Sequence, residues 1–205
     1  MGNIDQIVME NKDFKTFARA YMHYMSQLLA GLDLGALERI VNELEDARKN
    51  GKTVFIIGNG GSASTASHMA NDLGFGVRRH TEPSLKVVSL TDNCAVLTAL
   101  ANDVGYEQIF LRQLQLYYRG GDKLIVISAS GNSHNLILAA EWVRQQGGKV
   151  LGLLGFDGGK LKGMCDIPLI VTTPKGEYGP VEDVHMIIDH LLYTWLWWKI
   201  RKTAG

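Results

Sequence analysis

Two short segments of this 205-residue chain combine glycine and serine in a way that could hold an anion: Gly58-Asn59-Gly60-Gly61-Ser62 and Ser128-Ala129-Ser130-Gly131-Asn132-Ser133. Glycines let backbone amides come close to a ligand and serines add hydroxyl donors. A helix that starts just after such a loop adds partial positive charge, so the set can cradle a phosphate without lysine. One such loop is equally well explained as a tight strand-to-helix turn; two of them favour a ligand site. Neither is a dinucleotide fingerprint, because Ala63 stands where GxGxxG needs its third glycine, and neither ends in GK[ST]. The pattern predicts a phosphomonoester and no nucleotide cofactor.

The first loop runs directly into ASTASHMANDL, where His68 and Asp72 stand four apart and share one helix face. Near the C-terminus, Glu182, Asp183, His185, Asp189 and His190 interrupt an otherwise apolar helix starting near Pro180. Plainer readings exist for each. His68 and Asp72 can be a surface pair worth a few tenths of a kcal/mol, His185 and His190 can be satisfied core histidines, and Glu182 and Asp183 can complement a helix dipole. Sequence spacing alone does not bring the two helices together. Asp92, just after KVVSL, lies where this topology expects a ligand contact. Arg78, Arg79 and His80 read as a solvated loop within reach of a neighbouring subunit, Asp103 and Gln113 as surface.

The elements that must position these groups follow from the apolar rhythm. Between about Asp5 and Asn50, apolar residues at helical spacing predict two helices broken near Gly31-Gly35, with faces to bury against the rest of the fold or a partner subunit. From Thr53 the rhythm changes to short β-branched runs separated by helical segments: TVFII, KVVSL, KLIVI, KVLGLL and IPLIV. Continuous apolar strands are covered on both faces, which predicts an α/β fold with a mostly parallel, doubly wound sheet flanked by helices. Without repeats or a Pro-rich linker, residues 1–205 read as one domain, with 1–50 as an N-terminal helical arm.

Composition removes several function classes. Lysine plus arginine and aspartate plus glutamate both number 21, leaving no long-range field to attract nucleic acid or an anionic membrane. MGNIDQIVMENKDF has early acids and no apolar h-region, so a cytoplasmic protein is expected. Cys94 and Cys165 lack metal or redox spacing and read as buried free thiols of a reducing compartment. The stretch MIIDHLLYTWLWW is too short to span a bilayer and carries Asp189 and His190. Its tryptophans, followed by Lys199, Arg201 and Lys202, resemble a membrane-interface belt, but packing between subunits is the favoured reading.

GNGGSASTASHMANDL, SASGNSHN, GFDGGKLKGMCD and VEDVHMIIDH together resemble the sugar isomerase (SIS) domain proteins, nearest the bacterial phosphoheptose isomerases, in order and spacing as far as about Trp198. The resemblance implies a five-stranded parallel sheet, a homotetramer, and conversion of sedoheptulose 7-phosphate to D-glycero-D-manno-heptose 7-phosphate for bacterial surface polysaccharide. It implies that Ser62, Ser128, Ser130 and Ser133 hold the phosphate, with Asn59, Gly60, Gly61, Asp92, Ala129 and Glu182 around the substrate. Asp72 becomes the base and His190 its acid/base partner; in zinc-binding members the ligands map to His68, Asp72, Glu182 and His190. Several residues depart from the family pattern. Asp72 replaces a longer glutamate, Ala129 a threonine and Glu182 a glutamine, and Tyr178-Gly179-Pro180 lacks an Asp-Arg pair. These departures cluster at the sugar end, which leaves open an isomerase for a different sugar phosphate. A noncatalytic adapter like the family member that associates with the DnaA initiator is a further alternative.

Overall fold

A computed structural model describes residues 2–76 and 83–203. Arg78, Arg79 and His80 lie outside the described residues. The five apolar runs form five strands: β1 (Thr53–Gly58), β2 (Lys86–Ser89), β3 (Lys123–Ser128), β4 (Lys149–Gly155) and β5 (Ile167–Val171). They make one all-parallel sheet in the order β2-β1-β3-β4-β5, with Ile56 opposite Ile125 and Ile125 opposite Leu151. Because β2 lies on one side of β1 and β3 on the other, the strand order reverses there. That switch point leaves a crevice beyond the strand ends, where open α/β sheets bind ligands.

The N-terminal arm contains three helices rather than the two expected: α1 (Asn3–Glu10), α2 (Phe14–Ala30) and α3 (Leu34–Lys49). The extra break comes from Asp13, whose carboxylate accepts from the amides of Lys15 and Thr16 and so caps the start of α2. The helices that follow are α4 (Gly61–Ala70), α5 (Cys94–Asp103), α6 (Ile109–Tyr117), α7 (His134–Gln145) and α8 (Tyr178–Thr203). Asn71–Gly76 continues α4 as a π-helical segment.

Alternate strand residues feed two cores. Val54, Ile56, Ile125, Ile127, Leu151 and Leu153 pack with α3, α4 and α8 through Ile40, Leu44, Met69, Val184 and Ile188. Phe55, Ile57, Leu124, Val126 and Val150 pack on the other face with α6 and α7 through Phe110, Leu114, Leu136 and Val143. Each fully buried aliphatic side chain of this kind contributes roughly 1.5–3 kcal/mol relative to exposure. The core placing α4 beside α8 is therefore what sets the relative position of the polar groups on those helices.

Two expectations need correction, on the cysteines and on Gln113. Cys94 opens α5 and is exposed; Cys165 is partly buried, and burial pushes its thiol up to about 12. Gln113 is buried, not on the surface, and its amide donates to the carbonyls of Leu90 and Ile109. Among the described residues, no helix is long and apolar enough to cross a membrane.

Candidate active site

The two Gly/Ser loops leave adjacent strands, β1 and β3, on either side of the switch point. Gly60 takes φ +56° as the residue before α4, a conformation that suits glycine, and a Cβ on Gly61 would run into the Glu182 carboxylate. Gly131 has φ +63°, and a Cβ there would land on the Gly158 carbonyl. The turn after β4 braces this second loop: the amide of Leu161 donates to Gly131 O at 3.0 Å, and that of Lys160 to Asn132 Oδ1 at 3.1 Å. Within the loop, Ser128 Oγ accepts from the Gly131 amide at 3.0 Å.

The loops also grip each other. Asn59 and Asn135 exchange two amide hydrogen bonds of 2.9 Å, and the Tyr106 hydroxyl donates to Asn59 Oδ1 at 2.8 Å. Asn135 is buried in the first turn of α7. Its place in SASGNSHN was visible, but the partner that gives it a role lies 76 positions away, so sequence reading passed over it and Tyr106.

Between the loops lies a hollow of about 190 Å³ lined by Asn59, Ser62, Ile127, Ser128, Ala129, Ser130, Ser133, Leu136, Tyr178 and Glu182. Among the described residues its lining holds no lysine or arginine. Helices α4 and α7 both start here without a side-chain cap at Gly60 or Ser133. Their first-turn amides are therefore available to an anion, and both helix dipoles favour negative charge at this spot. Tyr178 packs edge-on against Phe156 with ring centroids 5.2 Å apart. Phe156 is the one described non-glycine residue in the left-handed region, at φ +55°, a local strain of the kind that collects at binding sites.

A second group forms farther along α4 and α8. Nε2 of His68 lies 3.1 Å from Nε2 of His190 and 3.4 Å from Asp72 Oδ2, while His190 Nε2 is 3.8 Å from the same oxygen. The other Asp72 oxygen accepts from Asn71 Nδ2 at 3.0 Å. Asp72 sits on the π-helical segment, where the backbone departs from the 3.6-residue turn, a feature frequent at functional sites. Asp189 reaches the group from beneath, its Oδ2 4.0 Å from His68 Nε2. One donor atom from each of these four residues lies within 4.8 Å of every other. Asp189 is fully buried, neither of its oxygens has a hydrogen-bond partner among the described residues, and desolvation followed by the Asp72 charge pushes its carboxyl up to about 7.

The structure thus brings together Ser62, Ser128, Ala129, Ser130, Ser133, Asn59 and Glu182 at one end and His68, Asp72 and His190 at the other. Glu182 does not join the imidazole group, where Asp189 stands instead. Asp92 lies apart from both, hydrogen-bonded to Ser67 and lining a separate hollow with Thr53, Phe55 and Gln113. His185 is a core histidine: its Nε2 donates to Leu154 O at 3.2 Å, and burial lowers it to about 4.

Comparison with known proteins agrees with this geometry. The family model described as SIS domain matches residues 17–155. The chain is similar to the phosphoheptose isomerase of Pelodictyon phaeoclathratiforme, 43% identical over 70% of this chain and 68% of the relative. It is also similar to that of Citrifermentans bemidjiense, 36% identical over 86% of this chain and 93% of the relative. Among solved structures, phosphoheptose isomerase GmhA from Neisseria gonorrhoeae superposes with a TM-score of 0.76 at 27% identity, covering 87% of this chain and 97% of that one. The phosphoheptose isomerase from Francisella tularensis gives 0.77 at 27% identity, covering 87% and 95%. The chain belongs to the SIS domain family.

Proposed function

We propose that this chain is an aldose–ketose isomerase for a phosphorylated sugar, converting sedoheptulose 7-phosphate to D-glycero-D-manno-heptose 7-phosphate, with residues 1–205 acting as one SIS domain. One observation carries the proposal. Gly61 faces Glu182 and His68 faces Asp189 across two helices that run side by side, seven residues separating the members on each helix. Seven residues of helix rise about 10 Å, which sets the anion hollow and the imidazole–carboxylate group about the length of an extended sugar chain apart. The relatives described above are themselves phosphoheptose isomerases, which supports this reading.

Held by Ser62, Ser128, Ser130, Ser133 and the amides of two helix starts, the phosphate fixes the sugar so that its carbonyl end meets Asp72 and His190. Asp72 takes a proton from C1 of the ketose as the C2 oxygen gains one from His190, giving an enediol. His190 then takes the O1 proton while Asp72 returns its proton to C2, and the aldose forms with no net change in atoms. Two imidazoles and a carboxylate at 3.1–3.8 Å suit zinc, and the orphaned Asp189 carboxylate fits a cation better than an empty core. When bound by His68, Asp72 and His190, zinc would supply Lewis-acid polarisation of the carbonyl and enediol oxygens, in place of the proton that a metal-free His190 Nε2 transfers.

Asp72→Asn and His190→Ala are each expected to lower kcat by at least about a thousandfold, with circular dichroism unchanged. Full turnover of sedoheptulose 7-phosphate by both variants would remove this mechanism. Ala129 and Glu182 depart from the family pattern, and the structure sets both in the anion hollow rather than at the sugar end; Asp72, the departure at the imidazole end, favours a second reading, an isomerase of the same chemistry for a different sugar phosphate. An apolar groove of about 690 Å³ between α3 and α8, walled by Leu34, Leu37, Val41, Leu191 and Trp195, supports assembly of copies into the homotetramer.

A further inference from the structure

We propose that Asp189, not Glu182, is the fourth ligand of a divalent cation of the zinc type held by His68, Asp72 and His190, and that Glu182 belongs to the substrate end alone. The inference rests on the metal reading of this site, not on the identity of the sugar.

Geometry comes first. Tetrahedral zinc with bonds of about 2.0–2.1 Å spaces its ligand atoms about 3.3 Å apart. The separations His68–His190, His68–Asp72, His190–Asp72 and His68–Asp189 are 3.1, 3.4, 3.8 and 4.0 Å, and every pair of the four lies within 4.8 Å, so a shift of about 1 Å or less would bring these measured pairs to that spacing. Both histidines turn the same atom, Nε2, toward the common point.

The second observation is independent of spacing. Asp189 has no exposed surface, and neither carboxylate oxygen finds a donor among the described residues. A buried carboxylate without partners costs several kcal/mol. It faces His68, its nearest basic group, and a cation at the shared point would satisfy it. Glu182 cannot serve there without leaving its place. It lies against Gly61 in the Ser62/Ser128 hollow, two turns earlier on α8.

The test uses the full chain stripped of metal and titrated with zinc(II) and cobalt(II), reading bound metal per chain, the cobalt visible spectrum and the thermal midpoint. Wild type is expected to take one metal per chain, show the intense visible bands of tetrahedral cobalt, and gain thermal stability on zinc addition. Asp189→Asn, close to isosteric, should fold with a higher metal-free midpoint, bind zinc at least tenfold more weakly, and lose most of the zinc-induced stabilisation. Glu182→Gln should keep wild-type affinity and spectrum while its KM for sugar phosphate changes. Unchanged affinity in Asp189→Asn, or loss of metal in Glu182→Gln, overturns the assignment. No metal binding by wild type overturns it too, and full isomerase activity in that metal-free protein would leave the proposed reaction standing.

Discussion

The two ends of the site solve opposite electrostatic problems on the same pair of helices. At the phosphate end, the lining has no lysine or arginine among the described residues, and the groups offered are glycine amides, hydroxyls and two uncapped helix starts. At the other end, four ionisable side chains crowd together, one of them fully buried without a partner. A phosphate brings its own charge and needs only oriented dipoles, which the backbone supplies at no desolvation cost. Proton transfer needs groups that change charge, and these must be forced together by the core that packs α4 on α8. The phosphate end is consequently a property of loop conformation, and the chemical end a property of helix register.

If that contrast holds, Gly131→Ala should damage only the first. Left-handed φ costs a non-glycine residue about 1–2 kcal/mol, and the new Cβ would strike the Gly158 carbonyl. We expect kcat/KM for the phosphorylated ketose to fall on the order of a hundredfold, mainly through KM. Isothermal titration with zinc should be unchanged, and a parallel loss of zinc affinity would break the separation of the two ends.

His185 tests the helix that joins them. It lies between Glu182 and Asp189 on α8, fully buried, with Nδ1 unpartnered and its pKa lowered by burial to about 4. The unfolded chain takes up a proton as pH falls through about 6.5, whereas the folded chain does so only near 4. The stabilisation from keeping this imidazole neutral is therefore complete above about pH 6.5 and is lost as pH falls toward 4, by roughly 3 kcal/mol. Denaturant midpoints across that window should show the slope, and His185→Leu should flatten it. An equal slope in the variant would place the titration elsewhere.

The smallest effect is expected at Glu182, whose carboxylate sits in the hollow assigned to phosphate. Like charges set side by side oppose binding, so Glu182→Gln should lower the inhibition constant of inorganic phosphate by about threefold to tenfold. A weaker inhibition by phosphate in that variant would mean that Glu182 holds the sugar by hydrogen bonds that outweigh its repulsion.

This division also explains what could be read from sequence. The runs TVFII, KVVSL, KLIVI, KVLGLL and IPLIV became β1 to β5 almost residue for residue, because a strand buried on both faces is an uninterrupted apolar segment; β2, at the sheet edge, leaves Lys86 and Val88 exposed. GNGGS and SASGNS announced the two loops that line one hollow for the same reason: loop chemistry is written locally. The other end was half legible. His68 and Asp72 share a face by periodicity, but Glu182 and Asp189 also share a face, seven residues apart. Which of them meets the histidines depends on the axial register of α8 against α4, and one turn of slip moves every contact by about 5.4 Å. That register is set by Met69, Val184, Ile188 and the sheet beneath them, and periodicity within either helix does not encode it. The π-helical turn under Asp72 was invisible for a similar reason, and Asp13 split the N-terminal arm through a cap that a reading of apolar spacing ignores.

The central claim is that one substrate spans both ends and exchanges a proton at the far one. Incubating the purified protein with sedoheptulose 7-phosphate in deuterium oxide and following C1 and C2 by NMR tests it most directly. The account predicts formation of the aldose 7-phosphate with solvent deuterium at C2, and its loss in Asp72→Asn. A wild-type protein that binds the sugar phosphate yet leaves it unconverted and free of deuterium would contradict it.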